Sequence, residues 1–155
     1  MAVVAVKKVE EEVYDVIEAL IIANKPTYTR TILGTSTTFT YTFLSAYPKD
    51  NPSFPIVVLD EEDINIELLN LDGSGEDYII EIKLDFYAKE EHGRRAIVEG
   101  KDSLRATFIG NISTFDTTNG MIPMNPFWDD SNTSFFSDKN QLLNTASVLI
   151  KFKLK

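Results

Sequence analysis

The clearest pattern in the sequence is an alternation of apolar and polar residues between positions 78 and 87. The apolar positions of one face are Tyr78, Ile80, Ile82, Leu84 and Phe86. A period of two is typical of a strand with one buried face. Apolar residues then recur at roughly helical spacing among the charged residues of positions 94–109, and this spacing predicts a helix. The strand and the helix together are expected to form the centre of the domain.

An amphipathic segment near the start of the chain, residues 9–24, predicts a first helix. Val13, Ile17 and Ile21 belong to its apolar stripe, and acidic residues occupy the opposite face. The acidic residues crowd the first turns of this predicted helix, where negative charge complements the helix dipole. The apolar stripe is expected to pack on a sheet.

Several shorter patterns predict additional strands. Residues 35–43 alternate aromatic residues with threonines, a composition that fits a pleated surface. Residues 56–59 are expected to form a short buried strand, and residues 64–68 an alternating one. Residues 27–34 fit either a short strand or an extended link. The last strand, residues 145–155, carries three lysines on one side, which either solvate an outer face or protect a sheet edge.

The character of the sequence changes between residues 110 and 140, which are predicted to form a long loop. Asn, Asp, Ser, Thr, Gly and Pro dominate this segment. A connection of this length inside a compact domain is typical of a functional loop. It contains apolar residues of the types that protein interfaces favour: Met121, Ile122, Met124, Phe127, Trp128, Phe135 and Phe136. We predict that these seven residues form an interface; the alternative is that they pack on their own sheet.

The predicted elements together indicate one α+β domain that covers residues 1–155. Its sheet is expected to be mostly antiparallel, because its strands have a single strongly apolar face. Both helices carry a single apolar stripe and are therefore expected to pack on the same face of the sheet. The long loop, residues 110–140, precedes the last strand.

The composition argues against several classes of functional site. The chain has no cysteine, which excludes disulfides and thiolate metal sites. Its net charge of -9 comes without a basic stripe for gripping nucleic acid. No apolar run approaches the roughly 20 residues of a membrane span. The acidic segments 60–63 and 72–77 are expected to be turns, because neither matches a complete calcium loop.

The charged residues around the second helix form no catalytic constellation. The one histidine, His92, has no serine or cysteine partner at a recognisable spacing and is expected at the surface near the start of that helix. Arg94, Arg95 and Arg105 are expected to pair with acidic neighbours along the helix; the alternative is that they bind a phosphate or a carboxylate partner. We therefore predict no catalytic, cofactor or metal site, and the chain is not expected to be an enzyme.

The series of predicted elements resembles the tail terminator (tail-completion) proteins of long-tailed bacteriophages and related viruses. The resemblance is carried by the amphipathic residues 9–24 and by the segment Phe54-Pro-Ile-Val-Val58. It continues in Ile80-Glu-Ile-Lys-Leu-Asp-Phe-Tyr-Ala-Lys89 with its charged helix, and in Val148-Leu-Ile-Lys-Phe-Lys153. The resemblance covers most of the chain from Val9. It concerns the order of the elements and their pattern of apolar and polar residues rather than an invariant motif. Residues 119–140 depart from it, since they are longer and more aromatic than the family leads us to expect.

The resemblance implies a structural virion protein that forms a homo-oligomeric ring, typically a hexamer. Such a ring caps the finished tail tube, stops further polymerisation of the tube and joins the tail to the neck below the head. The implied partners are the tail-tube protein and a neck or head-completion protein, while the genome passes through the ring without specific nucleic-acid binding. The implied location is the virion tail or neck, assembled in the host cytoplasm, with no membrane contact and no catalysis.

Two other interpretations stay open at this point. The chain could be a different neck or tail part, such as a head-closure protein or a tail-tube subunit, because these parts also combine strand-rich cores with long assembly loops. It could also be a cellular protein-binding module that uses residues 110–140 as its contact surface. The mass of the protein in solution and its morphology distinguish a closed ring, an open tube and a monomer.

Overall fold

Two α-helices and nine strands make up the described part of the chain in its computed structural model, which covers residues 2–48, 53–60, 64–68, 78–113, 121–131, 133–138 and 141–154. The helices are α1 (Ala2–Ala23) and α2 (Arg94–Gly110). The strands are β1 (Thr27–Ile32), β2 (Thr35–Thr40), β3 (Thr42–Leu44), β4 (Ile56–Val58), β5 (Ile64–Leu68), β6 (Tyr78–Lys89), β7 (Met121–Asp130), β8 (Ser134–Asp138) and β9 (Gln141–Leu154). A short 3-10 helix, Glu90–His92, connects β6 to α2.

The antiparallel pair of β6 and β9 lies at the centre of the main sheet. β6 pairs with β9 along all of its 12 residues, from Tyr78 opposite Leu154 to Lys89 opposite Leu143. β5 and β4 share the other edge of β6, and β7 and β8 share the other edge of β9. β3 extends the sheet beyond β4 as its one parallel pair among the described strands. The sheet is therefore mostly antiparallel, as predicted.

The core lies on one face of this sheet, and both helices cover that face. The alternating residues of β6 and β9 that point into it are fully buried: Ile80, Ile82, Leu84, Phe86, Val148, Ile150 and Phe152. The same cluster includes Ile17 and Ile21 of α1 and Ile97 and Phe108 of α2. The predicted α+β class with two helices on one face is confirmed.

The opposite face of the sheet is polar and carries the lysines of the last strand. Lys151 lies 3.9 Å from Glu81 across the β6–β9 pair, and Lys83 lies 3.9 Å from Asp85. Because β9 has partners on both sides, its lysines solvate the outer face of a central strand. The alternative that they protect a sheet edge is wrong.

The first helix is longer than the sequence pattern predicted. It begins at Ala2, whereas the amphipathic pattern placed its start at Val9. Valine lowers helix stability only slightly relative to alanine, so the run of alanine and valine before the predicted start continues the helix. The glutamates at positions 10–12 therefore lie within the helix rather than in its first turn, and the expected complement to its dipole is absent there.

The long loop predicted for residues 110–140 contains two strands, β7 and β8, and this part of the prediction is corrected. β7 has a bulge between Pro123 and Trp128, where its register against β9 shifts. Prolines cannot donate to a ladder and are tolerated at sheet edges and bulges, and β7 satisfies both conditions. The alternation of this segment is hidden by the bulge and by its prolines, so a period-two pattern could not be found.

A separate two-stranded sheet is formed by the hairpin of β1 and β2, residues 27–40. Leu33 and Gly34 form its two-residue turn with φ values of 50° and 80°. Positive φ at both central residues is the geometry that suits the twist of a tight hairpin. The sequence left this region open between a strand and an extended link, and it is a strand. The predicted acidic turn at 72–77 lies outside the described residues. Of the predicted turn at 60–63, only Asp60 is described.

Gly100 of α2 permits the close approach of Tyr41, which lies between β2 and β3 and is fully buried. The hydroxyl of Tyr41 donates to the carbonyl of Ala96 at 2.8 Å. A Cβ at position 100 would lie 2.6 Å from Cε1 of Tyr41. We expect Gly100→Ala to lower the free energy of unfolding by about 1–3 kcal/mol despite the better helix propensity of alanine. The measurement is urea unfolding followed by circular dichroism.

Gly110→Ala provides the matched control for Gly100→Ala. Gly110 lies in the same helix, and a Cβ there has no atom within 4 Å. We expect this variant to be as stable as the parent or slightly more stable. Equal stability of the two variants would contradict the tight packing of Tyr41 on α2.

Candidate interface

The seven residues predicted as an interface lie on β7 and β8, along the outer edge of β9. Met121 is 1% exposed and belongs to the core of its own domain. Ile122 and Met124 are partly exposed. Phe135 and Phe136 lie on β8, and their side chains are outside the described part of the structure.

Phe127 and Trp128 pack against their own domain. Their ring centroids lie 6.4 Å and 6.0 Å from that of Phe108 in α2, and Phe127 is 5.3 Å from Phe152 of β9. Two consecutive residues reach the same core because the bulge in β7 interrupts the alternation of faces. Both rings are only partly buried, so a contact of their exposed edges with a neighbour stays a prediction.

An aromatic cluster that was not predicted from the sequence fixes the β1–β2 hairpin to the start of α2. Tyr28 stacks on Phe39 at 5.2 Å, and Phe39 lies 4.8 Å from the ring of His92. Tyr28 also contacts Tyr41 edge to face at 5.8 Å. The tight Leu-Gly turn between two threonine-rich stretches is the signal that could have indicated the hairpin.

His92 lies mostly buried in this cluster rather than at the surface, since its side chain is only 10% exposed. The hydroxyl of Tyr28 and Nδ1 of His92 are 2.5 Å apart. Burial raises the pKa of Tyr28 to about 12, although the nearby Arg30 opposes the shift. Burial, together with the charge of Arg30, lowers the pKa of His92. The stable arrangement at neutral pH is therefore a tyrosine that donates to a neutral imidazole.

A polar cleft of about 280 Å³ opens beside this cluster, between β1 and the start of α2. Its charged lining consists of Arg30, Arg95 and Glu99, next to His92. One carboxylate oxygen of Glu99, Oε2, is buried without a hydrogen-bond partner. The cleft is thus lined by two arginines and one glutamate.

The arginines of α2 do not form the predicted ion pairs. In residues 78–113, which the structure describes throughout, none of Arg94, Arg95 and Arg105 lies within ion-pair distance of an acidic side chain. Exposed pairs of this kind gain little, because ordering two long side chains offsets a Coulomb attraction that water screens. These guanidinium groups are therefore available for another partner, which is the alternative that the sequence left open.

Lys101 joins α2 to the end of β7 on another side of the helix. It is 6% exposed, and its ammonium donates to the carbonyl of Ser131 at 3.0 Å and lies 3.5 Å from Asp130. A buried ammonium needs such partners to offset its lost hydration. This lysine is part of the scaffold that holds β7 beside α2.

No protein-family model matches the chain, and no curated protein matches it. Among the described helices, none has the length and apolar character needed to cross a bilayer. The described residues contain no cluster of three or more potential metal ligands.

Trp128→Ala tests the packing of β7. We expect the free energy of unfolding to fall by about 2 kcal/mol, below the loss for a fully buried tryptophan because the ring is partly exposed. Ile122→Ala on the same strand lies outside the core cluster and is expected to cost about 1 kcal/mol or less. Urea unfolding measures both. A Trp128→Ala variant as stable as Ile122→Ala would contradict the observed packing on Phe108.

The lowered pKa of His92 predicts a specific loss of stability in acid. The unfolded chain protonates this residue near its ordinary pKa of about 6.5, whereas the folded chain resists protonation. Stability is therefore fully present above that pH and is lost as the pH falls through it towards the lowered pKa of the folded state.

The comparison that isolates this effect is His92→Gln, whose amide oxygen still accepts from Tyr28 but does not titrate. We expect the parent to lose about 1 kcal/mol more than the variant between roughly pH 7.5 and 5.5, the scale of one hydrogen bond. Denaturant unfolding at several pH values measures the difference. Parallel curves for the two proteins would show that His92 does not control acid stability.

Proposed function

We propose that this chain is a structural subunit of a ring that caps the tail tube of a long-tailed bacteriophage or related virus, ends tube polymerisation and joins the tail to the neck. The observation that carries the proposal is the resemblance of the element series to tail terminator proteins. Its supporting segments lie together in the fold: Phe54-Pro-Ile-Val-Val58 leads through β4, and β6 and β9 form the central pair beside it. The proposal gives the chain no catalytic role.

The shape of the sheet is compatible with a subunit that repeats around a ring. Among the described residues, the sheet ends in β3 and β5 on one side and in β7 and β8 on the other. A ring needs head-to-tail contacts between two different surfaces of the same subunit, and two unlike edges offer them. The partly exposed Ile122 and Met124 on β7 are candidates for such a contact or for a contact with the tail-tube or neck partner.

The negative charge supports a role around a passage for DNA. The chain carries a net charge of -9, and like charge opposes adhesion of the phosphate backbone. In the proposed ring the genome passes through without specific binding. The assembled particle would identify the host, the ring size, and which face of the ring contacts the tube and which contacts the neck.

The purified protein is expected to assemble into a closed ring, typically a hexamer, and to stop the growth of tail tubes when added to polymerising tube protein. Analytical ultracentrifugation measures the mass, and negative-stain microscopy shows the morphology. Open tubes formed by the protein alone would identify a tube subunit instead. A monomer that leaves tube growth unchanged would favour a protein-binding module and would refute the ring.

A further inference from the structure

We infer that the β1–β2 hairpin is an arm that docks on helix α1 of a second copy of this chain. The arm is defined as residues 27–40, and its docking site as the exposed stripe of Glu11, Asp15, Glu18 and Ile22. The inference rests on the proposed ring, since it assigns the contact between neighbouring subunits. It differs from the β7–β8 surface, which lies on other elements.

The arm projects from the domain with an apolar tip. Leu33 is 100% exposed and Ile32 is 50% exposed. Five of the six residues of β2 are exposed as well, and the exception is Phe39. A fully exposed leucine beside a half-exposed isoleucine gains free energy when a partner covers the pair.

The arm is held in place before any partner binds. Tyr28, Phe39 and His92 fix its base to the start of α2. Paired hydroxyls cross between its strands, at 3.2 Å for Thr29 and Thr38 and at 2.9 Å for Thr31 and Ser36. A preorganised arm loses little conformational entropy on docking.

Charge identifies a second copy as the partner. Residues 27–40 contain one charged residue, Arg30, in a chain whose net charge is -9. Copies of such a chain repel each other wherever two acidic surfaces meet. Contact is therefore favoured where one surface is uncharged or basic, and the arm together with Arg95 at its base is such a surface.

The exposed stripe of α1 complements the arm in both charge and hydrophobicity. Glu11, Asp15 and Ile22 are exposed, Ile22 by 48%, and Glu18 is partly exposed. Their spacing places them on one side of the helix. The opposite side, with Ile17 and Ile21, is fully buried on the sheet, which leaves the stripe facing outward on a fixed helix.

The inferred contact pairs the tip of the arm with one end of the stripe. Leu33 lies in the turn of the hairpin and Arg30 in β1 before it. Asp15 and Ile22 are seven residues apart in α1, about 10 Å in a helix. Leu33 would cover Ile22, and Arg30 would lie towards Asp15. The contact joins unlike surfaces, as a closed ring requires.

Disulfide trapping tests the contact directly, because the chain has no cysteine of its own. Leu33→Cys and Ile22→Cys variants are prepared separately, mixed and oxidised after assembly. We expect a cross-linked dimer in the mixture, whereas each variant alone stays uncross-linked. The matched control mixes Leu33→Cys with Leu142→Cys, whose parent residue is 59% exposed on β9, and is expected to give no dimer.

Charge reversal provides a second test. Arg30→Glu is expected to weaken self-association by roughly tenfold or more, and adding Asp15→Lys to the same chain is expected to restore it. Sedimentation measures association, and the thermal midpoint confirms that each variant is folded. Leu33→Asp is expected to weaken association similarly, while Leu142→Asp leaves it unchanged.

The outcomes separate this inference from the proposed function. If the parent forms rings but Leu33→Cys does not cross-link to Ile22→Cys, the arm does not dock on α1 and the ring proposal stands. If the Leu33→Asp variant still forms rings but no longer joins tails, the arm binds a tail or neck partner, and the inference is overturned. If the parent never associates, the ring itself is refuted and the inference with it.

Discussion

The antiparallel pairing of β6 with β9 is the constraint on which the other contacts depend. Because side chains alternate between faces, a shift of one residue in this register would turn one of the two strands over, and either Glu81 of β6 or Lys151 of β9 would then enter the core. A carboxylate or an ammonium without partners in that core would cost several kcal/mol. The register therefore fixes which face receives both helices and where the outer strands attach.

Helix α2 connects the sheet to the hairpin through its packing contacts. One side of it packs on β6 and β9 through Phe108, Leu104 and Ile97. Gly100 lets the ring of Tyr41 come close, and the aromatic cluster around Tyr28 binds the base of the hairpin. The hairpin is thus a rigid extension of the core, although it shares no hydrogen-bonded ladder with the main sheet in the described residues.

Much of the central architecture could be predicted because a strand or helix that is buried on a single face has apolar residues at regular spacing in the sequence. β6, β9, α2 and the buried part of α1 were found in this way. Two features could not be found in this way. β7 is irregular because of its bulge and prolines. The alternation of residues 35–43 predicted a strand, but it did not indicate that β2 pairs with β1 in a separate hairpin, most of whose residues are exposed. The cluster of Tyr28, Phe39 and His92 joins residues far apart in sequence, so it depends on the tertiary fold.

In the proposed ring, an acidic subunit that meets copies of itself would face opposing demands. Negative charge keeps free copies apart and keeps DNA from adhering in a passage, but it also opposes the contacts that close a ring. A chain can satisfy both demands if its charge is distributed unevenly. Here the projecting residues 27–40 carry only Arg30, while exposed carboxylates lie on α1. In the proposed ring, repulsion between most pairs of surfaces would favour the orientation that brings the hairpin to α1, so the charge pattern that limits nonspecific association would also select the specific contact.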